Sequence, residues 1–272
     1  MTVHDARSGW QQWGTAVRSE IRIVGALVRR EMRAHFGDTR LGYLWAFFEP
    51  VLHLVLFLLL FTVVFKRSSP LGNSTGLFLL TGIVPYFLFQ KTATYVSGSI
   101  GANRSLIELP PVQPHNVILA RVVLQSVTFL LVSFVMFLAL LVGGIADAVP
   151  YDPLAVMAAC ALAICFGLGV GMINIVLLSY FHTWMTIYGM FTFPVWILSG
   201  VWFVPEQVPQ PFRTYMLYNP IMHIVMWFRS GFYQHFKAVS LDIPYAVGVS
   251  VLTLAVGLAA MRVARQKVLE RQ

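Results

Sequence analysis

Two ionisable side chains, Glu49 and Lys91, lie inside long apolar blocks of the sequence and are its first candidates for chemistry. A charged group among apolar residues at membrane depth is costly, so such a residue is interpreted as functional by default. Counted along the two blocks, Glu49 and Lys91 lie at similar depths. Two interpretations stay open. The pair is either a structural ion pair that fixes helix packing, or part of a contact for an anionic substrate, for which Lys91 is the better candidate.

Aromatic residues form a second candidate group. They crowd the inner end of the first apolar block and run along the fifth. Near the ends of a span they are typical of interfacial belts, whereas deeper ones either pack the core or line a path on which sugar rings stack. The candidates for such a path are Tyr43, Trp45, Phe48, Tyr188, Phe191, Trp196 and Trp202.

Motifs for catalysis are missing from the sequence. There is no Walker A motif, so nucleotide hydrolysis must take place on another chain. The seven histidines show no metal-ligand spacing, and no HExxH motif occurs. The basic residues have no accompanying basic–aromatic module of the kind that binds nucleic acid. We therefore predict a chain that is not itself an enzyme, without a cofactor, a metal or a nucleic-acid partner of its own.

Composition excludes a soluble globular protein, because 58% of the residues are hydrophobic and only 11% are charged. The apolar residues form six blocks, each long enough for the roughly 20 helical residues that cross a hydrocarbon core. Continuous runs favour helices over the alternating strands of a barrel. We predict an all-α membrane protein with six transmembrane helices at Leu44–Phe65, Leu77–Val96, Val117–Val142, Leu154–Tyr180, Trp184–Val204 and Tyr245–Ala264.

The distribution of charge predicts the orientation in the membrane. Most of the 19 Lys and Arg residues lie in the N-terminal segment, in the C-terminal tail or around the loop between the second and third blocks. The positive-inside rule places these regions in the cytoplasm. We therefore expect a cytoplasmic N-terminal segment over 1–43, a transmembrane domain over 44–264 and a basic cytoplasmic tail over 265–272.

Two cytoplasmic segments show helical patterns. Over Arg18–Phe36, arginines recur on one face, and this pattern predicts an interfacial helix with its arginines among anionic headgroups. An ordinary soluble helix is the alternative. In the loop over 97–116, a short helical stretch stopped by Pro110 and Pro111 is either a docking element or a capped connection. The apolar stripe predicted for the first segment comprises Ile21, Val24, Val28 and Met32.

The outer segment Pro205–Pro244 is too apolar for a free loop. Phe212–Tyr218 and Ile221–Phe236 both have helical patterns that break at Asn219-Pro220, and neither is long enough to span. Two such helices suggest a re-entrant hairpin, which is tolerated only where protein or a water-filled cavity covers it. We predict that this hairpin is a gate over a pore.

Close helix packing is predicted for the fourth block. Gly167 and Gly171 form a small-xxx-small pair, and Gly169 lies between them on another face. Such pairs let helix backbones approach closely in a membrane. No strand–turn–helix context surrounds them, so a nucleotide-binding loop is not indicated.

Several runs resemble those of type-2 ABC exporter permeases. The run RLGYLWAFFEP over 40–50 is similar to the LG-x-x-W…P signature at the head of the first span. LSGVWFVP over 198–205 and YNPIMHIVMWFR over 218–229 are similar to the SG-x-x-F…LP…NP-x-x-H…R run of the polysaccharide-export branch. The likeness covers essentially the whole chain and is greatest to capsular polysaccharide export permeases, with O-antigen permeases as close kin.

The resemblance implies a homodimer in the bacterial inner membrane with two copies of an ABC ATPase, which bind ATP and Mg, on its cytoplasmic face. It also implies a lipid-linked acidic glycan as substrate, a periplasmic adaptor and an outer-membrane export pore. The amphipathic helix and the inner loop would contact the ATPase through Arg33, Phe36, Asn103, Arg104, Leu106 and Glu108. The outer hairpin would form a periplasmic gate with Pro205, Tyr218, Asn219, Pro220, His223 and Arg229. Glu108 and Leu109 stand where relatives often carry basic residues.

We therefore predict that the chain is the membrane subunit of an ATP-driven exporter that moves a lipid-linked acidic, capsular-type polysaccharide from cytoplasm to periplasm. A permease for O-antigen, teichoic acid or another amphiphile is one alternative. A membrane enzyme acting on lipid-linked sugars is an alternative of a different class, which needs acids or a histidine clustered at one membrane depth.

Overall fold

The computed structural model describes residues 3–36, 40–64, 69–108, 112–234, 236 and 238–271, and within them the chain folds into helices joined by turns. A π-helical turn, Leu60–Val64, continues the second helix, and 3-10 turns occur at Ala146–Ala148 and Pro205–Gln207. The helices are α1 (Val3–Phe36), α2 (Arg40–Leu59), α3 (Thr75–Ser97), α4 (Ser99–Ala102), α5 (Arg104–Ile107), α6 (Pro114–Val142), α7 (Pro153–Tyr180), α8 (Trp184–Ile197), α9 (Phe212–Met216), α10 (Pro220–Ser230), α11 (Ile243–Val263) and α12 (Arg265–Arg271).

Among the described residues, four helices are long and apolar enough to cross a membrane: α3, α6, α7 and α11. They coincide within a few residues with the second, third, fourth and sixth predicted spans. The shortest of them has 21 residues, which corresponds to about 32 Å of helix and matches a hydrocarbon core of about 30 Å. The prediction of an all-helical chain with several apolar spans is therefore confirmed.

The first and fifth predicted spans differ from these four. In the first, the apolar helical part runs over Val51–Val64. In the fifth, α8 ends at Ile197 after 14 residues, whereas we predicted a helix through Val204. The helix ends early because Gly200 adopts a left-handed φ of 71°, which reverses the chain. Fourteen residues rise only about 21 Å, so α8 alone is shorter than the hydrocarbon core.

Capping residues set where the long helices begin. The Asp152 carboxylate accepts the N–H groups of Leu154 and Ala155 at 3.1 Å, at the start of α7. Asp242 likewise accepts from Tyr245 at 2.9 Å, at the start of α11. These bonds satisfy backbone donors that have no partner inside a helix. The turns before α7 and α11 therefore fix where these two spans start.

α3 is the central helix, since 89% of its span is buried by its neighbours. Glycines of α7 allow the closest approach to it: a Cβ on Gly171 would lie 2.6 Å from the Cβ of Val96, and one on Gly167 would lie 2.7 Å from the carbonyl oxygen of Phe89. Gly169 faces α11 instead, where a Cβ would lie 2.7 Å from the backbone nitrogen of Leu254. The predicted small-xxx-small pair, with Gly169 on another face, is confirmed.

We expect Gly171→Leu to destabilise the folded chain by about 1–3 kcal/mol or more, because an added side chain would overlap Val96 and force α3 and α7 apart. Gly248→Leu is the matched control, since a Cβ at Gly248 of α11 meets nothing within 4 Å. Thermal unfolding of the two detergent-solubilised variants measures the difference. Equal melting temperatures would contradict this packing.

Candidate functional site

The amphipathic helix α1 packs against the start of α6. Its buried contact is Leu27, which is 6% exposed and lies against Val117 and Ala120. Within the predicted apolar stripe, Ile21 is 68% exposed, whereas Val24 packs onto the Leu27 cluster. The apolar side of α1 is thus divided between a protein contact and an exposed strip.

Asn103, which we predicted to contact an ATPase, is 2% exposed and lies at the centre of a polar joint. Its amide nitrogen donates to Oε1 of Glu31 at 2.5 Å and to the carbonyl oxygen of Ser99 at 3.1 Å. Its Oδ1 accepts from Arg30 at 2.7 Å. The same Glu31 oxygen lies 3.3 Å from Nε of Arg121 on α6, and both side chains are mostly buried. The polar joint, formed by Arg30, Glu31, Asn103 and Arg121, ties α1 to the inner loop and to α6.

The other residues predicted at the ATPase contact differ in exposure. Arg33 is exposed, and the side chains of Arg104 and Glu108 are 49% and 71% exposed and lie 3.8 Å apart. Leu106 is half-buried and packs against the same cluster as Leu27. The side chain of Phe36 lies outside the described residues. Three of the predicted contact residues, Arg33, Arg104 and Glu108, are thus exposed, and their contact with an ATPase stays a prediction.

Aromatic side chains of α2, α3 and the end of α8 meet in one cluster. The ring of Phe57 lies 4.1 Å from that of Trp202 and 5.3 Å from that of Trp196, measured between centroids. The two tryptophans pack edge to face at 4.8 Å. Tyr86 lies 6.3 Å from Trp196, and its hydroxyl donates to the carbonyl oxygen of Thr192 at 3.2 Å. Two of the predicted path residues thus lie together, in a cluster that joins three helices.

The remaining predicted path residues lie elsewhere. Phe48 and Phe191 are 62% and 67% exposed. Tyr188 of α8 and Lys91, in the inner half of α3, are both half-buried. Three further side chains lie outside the described residues: those of Tyr43, Trp45 and Glu49. The pairing of Glu49 with Lys91 therefore stays a prediction.

Arg229 of α10 is 1% exposed and binds backbone carbonyls from two other elements. One terminal nitrogen donates to the carbonyl oxygens of Gly200 and, at 3.2 Å, Phe203. The other donates to Val201 at 2.8 Å and to Phe78 of α3 at 3.3 Å. The guanidinium carbon also lies 4.1 Å from the centroid of the Phe78 ring. This arginine clamp holds the turn after α8 between α10 and α3.

Asn219 and Pro220 begin α10, as the predicted break between the two outer helices requires. The Asn219 side chain accepts from the N–H of Ile221 at 3.1 Å and donates to the hydroxyl of Ser199 at 3.2 Å. Pro220 fits the first turn because its missing N–H would have no partner there. Pro205 is buried and begins the 3-10 turn that follows α8. α10 ends at Ser230, before the predicted Phe236.

His223 bridges two loops of the outer segment and is 2% exposed. Nε2 lies 2.8 Å from the carbonyl oxygen of Leu217, and Nδ1 lies 3.1 Å from the backbone nitrogen of Asp242. A carbonyl only accepts and an amide N–H only donates, so this geometry assigns the ring proton to Nε2. Tyr218 has an exposed ring, while its carbonyl oxygen accepts from the hydroxyl of Tyr245 at 2.7 Å. These bonds tie the turn between α9 and α10 to the start of α11.

Sequence reasoning missed the partners of these residues. Arg121 interrupts the third apolar block and is a signal that could have located the polar joint. Glu31 is one of several charges on α1, and no pattern distinguished it. The acceptors of Arg229 are backbone carbonyls, which the sequence does not mark at all.

Comparisons with known proteins find similarity over most of this chain. The family described as ABC-2 type transporter matches residues 22–233. The polysialic acid transport protein KpsM of Escherichia coli is 30% identical over 97% of this chain and 99% of its own length. The capsule polysaccharide export inner-membrane protein CtrC of Neisseria meningitidis is 28% identical over 88% of this chain and 90% of its own. The corresponding protein BexB of Haemophilus influenzae is 26% identical over 89% and 90%.

Proposed function

This chain belongs to the ABC-2 type transporter family as a membrane permease, and we propose that it exports a capsular, lipid-linked acidic polysaccharide from the cytoplasm to the periplasm. The observation that carries the proposal is its similarity, over nearly its whole length, to relatives named for polysialic acid transport and capsule polysaccharide export.

The proposed arrangement has six spans, with α2 and α8 as the first and the fifth and both termini in the cytoplasm. α1 lies in the membrane interface, and the segment after α8 enters and leaves on the outer side as a re-entrant hairpin. The apolar outward faces of α6 and α11 support contact with lipid, because residues such as Phe134 and Leu252 are 66% and 64% exposed. No residue of α8 is fully buried by the rest of the chain. This supports a homodimer in which a second copy of the chain covers α8.

In the proposed path, the aromatic residues present flat faces to the apolar sides of sugar rings, and Lys91 attracts the acidic groups of the glycan. Trp196 and Trp202 form a rigid platform because Phe57 and Tyr86 pack against them. The arginine clamp keeps the turn after α8 in place and so positions this platform beside the outer hairpin, which acts as the gate.

Energy for transport comes, in this proposal, from two copies of an ABC ATPase that bind ATP and Mg at the cytoplasmic face. The docking surface of Arg33, Arg104 and Glu108 receives them. A periplasmic adaptor and an outer-membrane pore would carry the glycan onward.

Co-purification of the tagged chain from its native membranes tests this function directly. We expect an ATP-hydrolysing partner in a one-to-one ratio, and we expect deletion of the gene to leave acidic glycan inside the cell. A chain that purifies alone, hydrolyses nothing and converts a lipid-linked sugar would instead be a membrane enzyme.

Removal of the exposed ion pair, by Arg104→Ala with Glu108→Ala, is expected to release the ATPase while leaving the fold intact. An exposed ion pair contributes at most about 1 kcal/mol to stability, so we expect the double variant to stay folded and to lose binding of the ATPase. The yield of co-purified ATPase and the glycan exported per ATP hydrolysed measure it. Arg22→Ala, on the exposed side of α1, is the control. Unchanged ATPase yield and coupling in the double variant would exclude this docking surface.

A further inference from the structure

A cleft of about 730 Å³ lies between the cytoplasmic ends of α6 and α11, beside α7. Its apolar lining, called the floor below, includes the buried Ile118 and Met172 and the exposed Leu258. Its rim carries the side chains of Arg262 and Arg265, with His115 and Gln113 at the start of α6. The cleft is separate from the polar joint, the aromatic cluster and the outer hairpin. None of the residues that line it has been assigned to the transport path, the docking surface or the gate proposed above.

The rim arginines are held by a well-packed support. α12 follows α11 directly, and its Val268 is 2% exposed within the cluster that contains Met172 and Ile175. Lys267 lies over the ring of Tyr180, with its nitrogen 3.7 Å from the centroid. These two contacts fix α12 on α7, so the position of Arg265 at the rim is set by the fold.

The rim is electropositive. In the part of the chain that the structure describes, no ion pair joins a carboxylate to Arg262 or Arg265. Among the described residues, Glu20 contacts the cleft lining at its α6 side: its carboxylate lies 3.5 Å from Nε2 of His115 and also accepts from the amide of Asn116. Glu20 is thus engaged with α6, and both arginines remain available for an anion.

We infer that this cleft binds an anionic phospholipid of the cytoplasmic leaflet, with its phosphate on Arg262 and Arg265 and an acyl chain along Ile118, Met172 and Leu258. A free anion would not explain the apolar floor, and a neutral lipid would not explain the two arginines. Charge-assisted bonds from guanidinium to phosphate are strong and directional. Anionic lipids concentrate on the cytoplasmic side, where basic residues near the ends of spans attract them. The inference rests on the proposed orientation of the chain, but not on its cargo.

Native mass spectrometry of the full-length, detergent-solubilised chain tests the site, with phosphatidylglycerol and phosphatidylcholine titrated separately. We expect phosphatidylglycerol to bind about tenfold more tightly, because its headgroup carries a net negative charge, whereas the choline ammonium of phosphatidylcholine neutralises the phosphate that both lipids share. Arg262→Gln with Arg265→Gln should remove this preference. Ala259→Phe, which adds a ring to the cleft lining without changing charge, should weaken binding of both lipids.

Arg213→Gln is the control for the single variant Arg262→Gln, because it removes one positive charge from α9, outside the cleft lining and outside the interfacial helix α1. It should leave the preference for phosphatidylglycerol intact. An equal loss in this control would attribute the preference to general surface charge and overturn the site. Equal binding of both lipids to the unmodified chain would overturn it as well. If the Arg262 and Arg265 variants lose export while phosphatidylglycerol binding is unchanged, the cleft holds the phosphate of the cargo instead. ATPase co-purification does not depend on any of these outcomes.

Discussion

Arg229→Lys is expected to abolish export and to lower the free energy of unfolding by about 3 kcal/mol. The loss of stability arises because one or two buried carbonyl groups would be left without a donor, at about 1–3 kcal/mol each. The two terminal nitrogens of the guanidinium donate to four carbonyl oxygens, those of Gly200, Phe203 and Val201 in the turn and that of Phe78 on α3. A lysine ammonium has three donors and no planar face to place over a ring. The turn after α8 would then lose its fixed position between α10 and α3. Export of glycan from whole cells and thermal unfolding of the purified variant measure the two effects.

Arg213→Lys is the matched control for this substitution. Arg213 lies on the neighbouring helix α9, is only half-buried, and donates to the hydroxyl of Ser240. A lysine can make that single bond, so export and melting temperature should stay near those of the unmodified chain. If Arg229→Lys behaves like Arg213→Lys, the charge alone matters at position 229 and the clamp geometry does not.

The sequence predicts Arg229 as a residue of the outer segment but not what it holds. Its acceptors are carbonyls of a turn that exists because Gly200 adopts a left-handed φ, and a φ value has no sequence signal beyond the glycine itself. The same gap explains why we predicted a fifth span through Val204. The residues after Ile197 are apolar enough to continue a helix, and only the reversal at Gly200 shows that they do not.

Packing of the spans could be predicted further, because it follows from residue size. The pair of Gly167 and Gly171 predicts close packing on one face of α7 and puts Gly169 on another face; the structure places α3 against the pair and α11 against Gly169. Buried polar contacts could not be predicted in this way. Asn103 is a polar residue in a loop, which the sequence would place at the surface. It is buried because Glu31 and Arg30 of α1, more than 70 residues earlier in the sequence, supply its hydrogen-bond partners.

Asn103→Leu is expected to leave ATP hydrolysis running while export falls about tenfold or more. The substitution removes the bonds to Glu31 and Arg30, which attach the inner loop to α1. Each bond involves a charged group and contributes about 1.5 kcal/mol or more, so the free energy of this attachment falls by about 3 kcal/mol. Loss of that attachment lets the loop separate from α1 about 100-fold more often. The docking surface is built on both elements, so an ATPase would still bind but would move the loop without moving α1. Glycan exported per ATP hydrolysed, measured with the co-purified ATPase, gives the coupling.

Ser105→Ala is the control, because Ser105 is an exposed neighbour on the same loop and its loss leaves the polar joint complete. Hydrogen exchange separates the joint from the docking surface. In Asn103→Leu the backbone amides at the end of α1 and over Arg104–Ile107 should exchange faster, whereas in the double variant of Arg104 and Glu108 they should not. Because Glu31 also binds Arg121, α1 should keep its contact with α6 in Asn103→Leu, and its exchange near Leu27 should stay slow. If Asn103→Leu lowers the glycan exported per ATP without changing hydrogen exchange, the polar joint does not explain the effect. Asn103 would then contact the ATPase directly, as predicted from the sequence.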